Sequence, residues 1–193
     1  MASDKDPNFD RLNEEDHLLK LLRDSKTRDK GFRQLMQRYQ EKVYWHVRRI
    51  VHDHDDSNDI VQDTFMKAYK AIDRFKGDSK IYTWLYRIAS NEAITWLNRK
   101  KRRATHSIDN EDSVIAQRLE ADPYFDGDQT QKLLYMAIAS LPDKQQLVFN
   151  MRYFDELPYR EISRILKTSE GALKASFHHA VRKIEKFFQD VEV

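Results

Sequence analysis

Residues 59–91 have the sequence DIVQDTFMKAYKAIDRFKGDSKIYTWLYRIASN. In its first half, apolar side chains recur at spacings of four, three, four and three residues, the period of an amphipathic α-helix. They are Val61, Phe65, Ala68, Ile72 and Phe75. A polar loop containing Gly77 follows, and a second helical stripe contains Ile81, Leu85 and Ile88. This stretch therefore predicts two amphipathic helices joined by a short loop.

The helical period extends through most of the 193 residues, and no convincing run alternates with the two-residue period of a β-strand. With 4 Gly and 4 Pro, the chain lacks the turn residues of a sandwich or barrel. We therefore expect an all-α protein. Residues 1–11 lack the apolar core of a signal peptide, and no segment approaches the roughly 18–20 apolar residues of a membrane span. We expect a cytoplasmic location, and the absence of Cys excludes disulfides.

The formal net charge of +2 conceals an uneven distribution of charge along the chain. Residues 74–103 carry a net charge of +7, residues 104–130 carry −6, and the two flanking segments are nearly neutral. The acidic segment has few large apolar residues and contains Pro123 and Gly127, as exposed linkers do. We predict two small helical domains, 13–103 and 131–190, joined by a flexible acidic linker, 104–130.

Aromatic side chains are interleaved with the positive charges of residues 74–103. Cations neutralise phosphates, and aromatic rings provide flat surfaces on which unpaired bases stack. The segment therefore favours contact with single-stranded or opened nucleic acid. The alternative remains that Tyr82, Trp84 and Tyr86 belong to the core, since aromatic residues at helical spacing are usually buried.

Two further helices are predicted near the end of the chain. Pro158 suits a first helical turn, and Thr168 or Ser169 can cap a second helix whose first turn holds Glu170. The apolar stripe of that second helix includes Leu173 and Phe177. A short helix followed by a longer, basic one is typical of a helix-turn-helix. An ordinary helical hairpin fits the pattern equally well.

The sequence offers no convincing metal or catalytic site. His52 and His54 are separated by one residue and lack partners at helical spacing, so we interpret residues 52–59 as a turn in which Ser57 caps a helix. His178 and His179 diverge by about 100° on a helix. Glycine-rich phosphate loops and hydrolase motifs are absent from the sequence. We expect no cofactor, no metal and no enzymatic activity.

Several of these motifs together resemble a known family. The run Asp59 to Phe65, the loop Phe75 to Asp78 and the run Tyr82 to Asn91 resemble the σ2 domain of bacterial extracytoplasmic-function (ECF) sigma factors, members of the sigma-70 family. Leu141-Pro142, Tyr159 to Ile162 and Gly171 to Lys174 are similar to the σ4 domain of the same group. The resemblance covers about residues 13–189. It implies a σ2 helical bundle and a σ4 helix-turn-helix, with binding to core RNA polymerase, melting of the −10 promoter element and recognition of the −35 element.

The resemblance also implies three sets of binding residues. Those expected to bind core RNA polymerase are Asp59, Gln62, Asp63 and Phe65. Those expected to bind the opened −10 DNA are Phe75, Lys76, Gly77, Asp78, Ser79, Lys80, Tyr82, Trp84, Arg87 and Asn91. Those expected to bind −35 DNA are Tyr159, Arg160, Glu170, Gly171, Lys174, Ser176, His178, His179 and Arg182. An anti-sigma factor is a further implied partner.

The second helix of the helix-turn-helix departs from the family pattern, which commonly has Gly-Thr-Val-Lys/Arg-Ser-Arg followed by Arg-Ala-Arg. Here Ala172 replaces Thr, and Ser176 and His179 replace Arg, so the bidentate contacts that Arg makes to guanine are missing at those positions. Two alternatives to a sigma factor stay open at this stage. One is a helix-turn-helix regulator that binds operator DNA without polymerase, and the other is a helical adaptor with no affinity for nucleic acid.

Overall fold

The structure, a computed structural model, describes residues 7–104 and 129–191. These residues form eight α-helices and one 3₁₀ turn, and they contain no β-strand. The helices are α1 Pro7–Arg23, α2 Arg28–Val51, α3 His54–Ala71, α4 Ile81–Ala104, α5 Gln129–Ala139, α6 Asp143–Tyr153, α7 Tyr159–Leu166 and α8 Glu170–Val191, with the 3₁₀ turn at Ile72–Arg74. The predicted all-α class is confirmed. The predicted linker lies outside the described residues, apart from its ends in α4 and α5.

The first four helices form one bundle, in which α2, α3 and α4 pack on one another and α1 packs on α2. The apolar stripe predicted from the sequence is its core, since Val61, Phe65, Ala68 and Ile72 are all buried. α1 and α2 approach closely at Gly31, where an added Cβ would lie 2.9 Å from the Leu21 Cβ. This bundle forms the frame for the loop between α3 and α4.

The start of α3 differs from the sequence interpretation. The cap is Asp53, whose carboxylate accepts a hydrogen bond from the Asp56 backbone N–H at 3.0 Å. Ser57 is buried one turn later and donates its hydroxyl to the Asp53 carbonyl. The prediction of Ser57 as the cap was therefore wrong. Asp53 satisfies the same preference for a short side-chain acceptor four residues earlier.

The last four helices form a second group, in which α8 packs on α5, α6 and α7. Lys167 ends α7 in the left-handed conformation, and Ser169 caps α8 by accepting a hydrogen bond from the Ala172 N–H at 3.3 Å. Leu173 is fully buried beneath the turn. The helix-turn-helix interpretation of α7 and α8 agrees with this geometry. Of the two residues predicted as caps, Thr168 and Ser169, the structure confirms Ser169.

The two groups contact each other directly, with α4 against α7 and α2 against α6. One hydrophobic cluster includes residues of both groups, among them Leu85 from α4 and Ile162 from α7. This contact brings the loop before α4 close to the helix-turn-helix.

Candidate nucleic-acid interface

Two side chains of α1 hold the loop at residues 75–80, one at each end. The Arg23 guanidinium donates to the Phe75 carbonyl at 3.4 Å, and the Glu15 carboxylate accepts a hydrogen bond from the Ile81 backbone N–H at 2.7 Å. Gly77 has φ +84°, a left-handed conformation that favours glycine. The loop therefore has a defined shape at the entrance of α4, with Lys76 and Asp78 exposed.

This loop forms one wall of a cleft of about 350 Å³. The first turns of α4 form the floor, and the end of the first helix of the helix-turn-helix forms the opposite wall. The lining side chains include five cations and one acid, namely Arg74, Lys76, Arg87, Arg164, Lys167 and Asp78. The structure thus gathers much of the predicted −10 set in one electropositive cleft, which suits a polyanion.

The aromatic residues that line the cleft, Phe75 and Trp84, and the neighbouring Tyr82 differ in exposure. The Phe75 ring is buried and packs against Trp84, with 5.1 Å between ring centroids. Trp84 and Tyr82 are half-buried, and the Lys80 ammonium lies 5.9 Å from the centre of the Tyr82 ring. Chiefly through burial, the pKa of the Tyr82 phenol is raised above its ordinary value. Of the two rings that line the cleft, Trp84 is therefore the more accessible, and the buried Phe75 packs against it.

The predicted polymerase-binding residues lie on α3. Asp59, Gln62 and Asp63 are exposed, whereas the Phe65 side chain is 3% exposed and packs edge-on against Phe32. In this arrangement the Phe65 ring is part of the core and is not accessible to a partner. Its place in the apolar stripe already indicated that role.

Two exposed apolar residues extend the face formed by Asp59, Gln62 and Asp63. Met66 is 48% exposed and Tyr69 is 38% exposed. Both follow Gln62 and Asp63 at helical spacing, on the side of α3 that the core stripe leaves free. The sequence analysis did not include Met66 and Tyr69 among the candidate binding residues, although their helical spacing from Gln62 and Asp63 places all four on one face.

The predicted −35 residues lie on α8 and at the start of α7. Arg160, Glu170, Gly171, Lys174, His178, His179 and Arg182 are exposed, and Ser176 is half-buried. Tyr159 is half-buried, with the Lys174 ammonium 5.8 Å from the centre of its ring. Apart from Arg160, which lies in the first turn of α7, the exposed members lie on α8, and a major groove admits a single helix of this kind.

Comparisons with known proteins agree with this geometry. The family model Sigma-70 region 2 matches residues 35–103, and the model Sigma-70, region 4 matches residues 131–184. The chain is 34% identical over 170 residues to the ECF RNA polymerase sigma-E factor of Salmonella typhimurium, with 83% of this chain and 87% of the relative covered. It is 31% identical over 176 residues to the RNA polymerase sigma-H factor of Pseudomonas aeruginosa, with the same coverage.

The chain belongs to the ECF sigma factors of the sigma-70 family. It is a sigma factor, which directs promoter-specific transcription. The operator-binding regulator is not favoured, because it leaves the match of residues 35–103 to region 2 without a role. The adaptor alternative likewise fails to account for the two matched regions.

Two solved structures show the same fold as this ECF sigma factor. The sigma factor RpoE of Bartonella quintana, in complex with the anti-sigma factor NepR, aligns with a TM-score of 0.68 at 21% identity, covering 83% of this chain and 98% of that one. CnrH, in complex with the cytosolic domain of CnrY, aligns with a TM-score of 0.66 at 19% identity, covering 91% and 97%.

Other parts of the ECF sigma factor contribute residues that the sequence did not indicate. Arg164 and Lys167 come from α7 yet line the cleft beside α4.

His54 makes a contact within the fold, since its ring nitrogen lies 2.8 Å from the Tyr44 hydroxyl. Across residues 7–104 and 129–191, no three His, Asp or Glu side chains group as metal ligands. None of the helices in these ranges is both long and apolar enough to cross a bilayer.

Proposed function

We propose that three separate surfaces of this sigma factor bind its three partners in transcription initiation. The cleft between the 75–80 loop and α4 holds the opened −10 strand, α8 contacts the −35 duplex, and the exposed face of α3 binds core RNA polymerase. One observation carries the proposal. On the side formed by the 75–80 loop and α4, the cleft combines three cations, Arg74, Lys76 and Arg87, with a supported, half-buried indole, and this pairing suits a strand whose bases have left the stack.

The cleft favours a single strand for two physical reasons. A duplex presents its bases edge-on inside the grooves, whereas an opened strand offers flat faces that stack on rings such as Trp84. Base–aromatic stacking contributes about 1–3 kcal/mol per base. The exposed cations Lys76 and Arg87 lie beside that ring, within reach of the phosphates of the same strand.

α8 is expected to read the −35 duplex with fewer direct base contacts than a helix carrying several Arg. Lys174 and Arg182 are its exposed cations in the predicted set, and Arg160 adds a third from α7. Lys binds phosphate as a point charge and lacks the fork that pairs with guanine. We therefore assign α8 a larger share of backbone and shape recognition.

The α3 face combines acidic and apolar groups. Asp59 and Asp63 flank Gln62, and Met66 and Tyr69 continue the same face. Its partner on core RNA polymerase should accordingly present basic side chains around an apolar centre. The complex of RpoE with the anti-sigma factor NepR makes an anti-sigma factor a second proposed partner. We also propose that the protein acts in the cytoplasm and has no enzymatic activity of its own.

Three variants separate these assignments in one experiment. We expect Asp59→Lys/Asp63→Lys to lose binding to core polymerase. Lys76→Ala/Arg87→Ala should retain core binding but fail to open the −10 region. Lys174→Ala should weaken protection of the −35 element.

Core binding is measured by native gel shift, opening by permanganate reactivity of thymines, and −35 contact by DNase footprinting. Arg33→Ala, an exposed change on α2, is the matched control and should behave as wild type. The assignment of the cleft is contradicted if Lys76→Ala/Arg87→Ala opens the −10 region normally.

A further inference from the structure

One charged residue, Glu15, lies on the face of α1 that packs into the bundle. Leu18 and Leu22 follow it at spacings of three and four residues, and both are buried. Side chains at these spacings share one side of a helix, so the pattern predicts an apolar residue at position 15. The sequence instead has a carboxylate, which is half-buried and has a polar partner in another helix. The packing of α1 alone does not account for it.

The partner of Glu15 is the first backbone N–H of α4. The Glu15 Oε1 accepts a hydrogen bond from the Ile81 N–H at 2.7 Å. The first N–H groups of an α-helix have no acceptor within the helix, and a short side chain at the capping position usually accepts from one of them. Lys80 holds that position here, and its side chain carries only donors. Glu15 therefore supplies, from a separate helix, an acceptor that α4 lacks at its own start.

Two arginines contact the other end of the 75–80 loop. Arg23, the last residue of α1, donates from its Nη2 to the Phe75 carbonyl at 3.4 Å, and the same atom would lie 3.6 Å from a Cβ added to Gly77. Arg28, the first residue of α2, forms an ion pair with Asp73 in the 3₁₀ turn that leads into the loop. The loop is thus anchored at both ends to the first two helices.

These anchors differ in strength. At 3.4 Å the Arg23 bond is longer than an ordinary N–H···O hydrogen bond. The Asp73 side chain is 62% exposed, so water screens its ion pair with Arg28. The Glu15 bond is short and charge-assisted, and its donor belongs to a buried residue, Ile81. Loss of the Glu15 anchor should therefore have the largest effect on the loop.

The loop between these anchors belongs to no helix, and Gly77 within it adopts the left-handed conformation. An unrestrained segment of this length samples many conformations, and a ligand that binds one of them must supply the free energy of ordering the loop. Anchors present in the free protein remove part of this cost before a strand binds. The Glu15 anchor also fixes the start of α4, whose first turns place Trp84 and Arg87 in the cleft.

We propose that Glu15 is a positioning residue of the −10 site. By accepting from the Ile81 N–H, it holds the 75–80 loop and the first turn of α4 in the shape that selects a base of the opened strand. Glu15 lies outside the lining of the cleft, so it acts through the loop and does not touch the DNA. The proposal rests on the proposed function, which assigns the −10 strand to this cleft. It adds α1, a helix outside the region 2 match at 35–103, to the elements that determine base selectivity.

Three variants isolate this role. Glu15→Ala removes the acceptor, whereas Glu15→Gln removes the charge and retains an oxygen that can accept from Ile81. Glu14→Ala is the matched control, since Glu14 is the neighbouring carboxylate and is 65% exposed. Glu14 pairs with Arg38 of α2 at 3.3 Å, so its loss weakens the contact of α1 with α2 but leaves the loop anchor in place.

The first measurement is amide hydrogen exchange in the free, full-length protein, followed by NMR. The Ile81 N–H should exchange at least about tenfold faster in Glu15→Ala than in wild type, because the opening of a helix start becomes easier when its acceptor is lost. Glu14→Ala should exchange at the wild-type rate. An unchanged Ile81 rate in Glu15→Ala would show that Glu15 does not anchor the loop, and the proposal would fail.

The second measurement is the base selectivity of reconstituted holoenzyme. Fluorescence anisotropy gives its affinity for a single strand carrying the −10 sequence and for copies in which one base at a time is replaced by an abasic site. Glu15→Ala should bind the intact strand about 5- to 10-fold more weakly, the scale of one charge-assisted hydrogen bond at a partly exposed site. Glu15→Gln should lie between Glu15→Ala and wild type, and Glu14→Ala should match wild type.

The abasic strands separate positioning from general stability. At the base position most sensitive to removal, the abasic strand should bind wild type and Glu15→Ala equally, because the two changes remove the same interaction. At the other positions the 5- to 10-fold difference should persist. Binding to core polymerase, measured by native gel shift, should be the same for both proteins.

Several results would overturn the role of Glu15. They are an equal loss of affinity for every abasic strand, weaker core binding, and a Glu15→Ala protein that does not fold, since each makes Glu15 a general structural residue. Higher affinity in Glu15→Ala would also overturn it, because Glu15 would then compete with a phosphate for the start of α4. A wild-type affinity that depends on no base would contradict the proposed function of the cleft, and the role of Glu15 with it, whereas the other results leave that function standing.

Discussion

Replacing Arg87 with Ala tests the role of the cleft with a single side chain. Arg87 is exposed on α4, beside Trp84 and the 75–80 loop. It lies on the opposite face from the buried Leu85 and Ala89, so its removal should leave the fold intact.

The expected magnitude follows from a single phosphate contact. A hydrogen bond to a charged group contributes about 1.5–3 kcal/mol when shielded, and the exposure of Arg87 reduces this to roughly 1–2 kcal/mol. Affinity for the opened −10 strand should therefore fall about 5- to 30-fold. Loss of one neutralised phosphate should also reduce the slope of log affinity against log salt by about 0.7 for a single strand.

The assay is fluorescence anisotropy of reconstituted holoenzyme with a labelled single strand carrying the −10 sequence, repeated over a series of salt concentrations. Arg33→Ala is the control for loss of an exposed cation elsewhere on the bundle. An Arg87→Ala protein with the affinity and salt slope of the control would refute the assignment of phosphate contacts to the cleft. A reduced affinity with an unchanged salt slope would place Arg87 in a structural role instead.

Three further predictions concern the −35 helix, the packing of α1 and the alkaline limit of stability. Lys174→Ala should weaken −35 binding by about 1–2 kcal/mol in quantitative footprinting, and an unaltered footprint counts against the assignment. Gly31→Ala should destabilise the protein by about 1–3 kcal/mol in urea unfolding because the new Cβ would meet Leu21 at 2.9 Å, whereas Gly171→Ala, with no atom within 4 Å, should not. The raised pKa of Tyr86 means that its phenol ionises near pH 10 only when unfolded, so stability should fall above that pH and fall less steeply in Tyr86→Phe, as thermal unfolding from pH 8 to 11 would reveal.

Helical period was sufficient to predict the helical stripes, whereas the cap of α3 was assigned to Ser57 and is Asp53. The stripe from Val61 to Phe75 forms a buried face as expected, because side chains three and four residues apart must share one side of a helix. The same periodicity could not show which aromatic residues belong to the core and which are accessible to a nucleic-acid base. The Phe65 and Phe75 rings are enclosed, while Trp84 remains half-exposed, and that difference depends on which helices pack above each ring.

The contact between the two helical groups could not be predicted from the sequence. His46, whose ring contacts the Asp155 carboxylate there, falls on a helix rich in buried apolar residues, and Asp155 follows α6 more than a hundred residues later. Nothing in local spacing links them, because the pairing depends on how two separate groups of helices dock. For the same reason, the sequence could not predict that Arg164 and Lys167 line a cleft beside α4.

Reconstitution with core RNA polymerase tests the central claim most directly. Purified protein and bacterial core enzyme are mixed with a library of promoter fragments, and the starts of the transcripts are sequenced. We predict transcripts that begin downstream of two shared elements centred near −10 and −35, and none from core enzyme alone. Failure of the protein to bind core polymerase, or transcripts without a shared upstream sequence, would contradict the account.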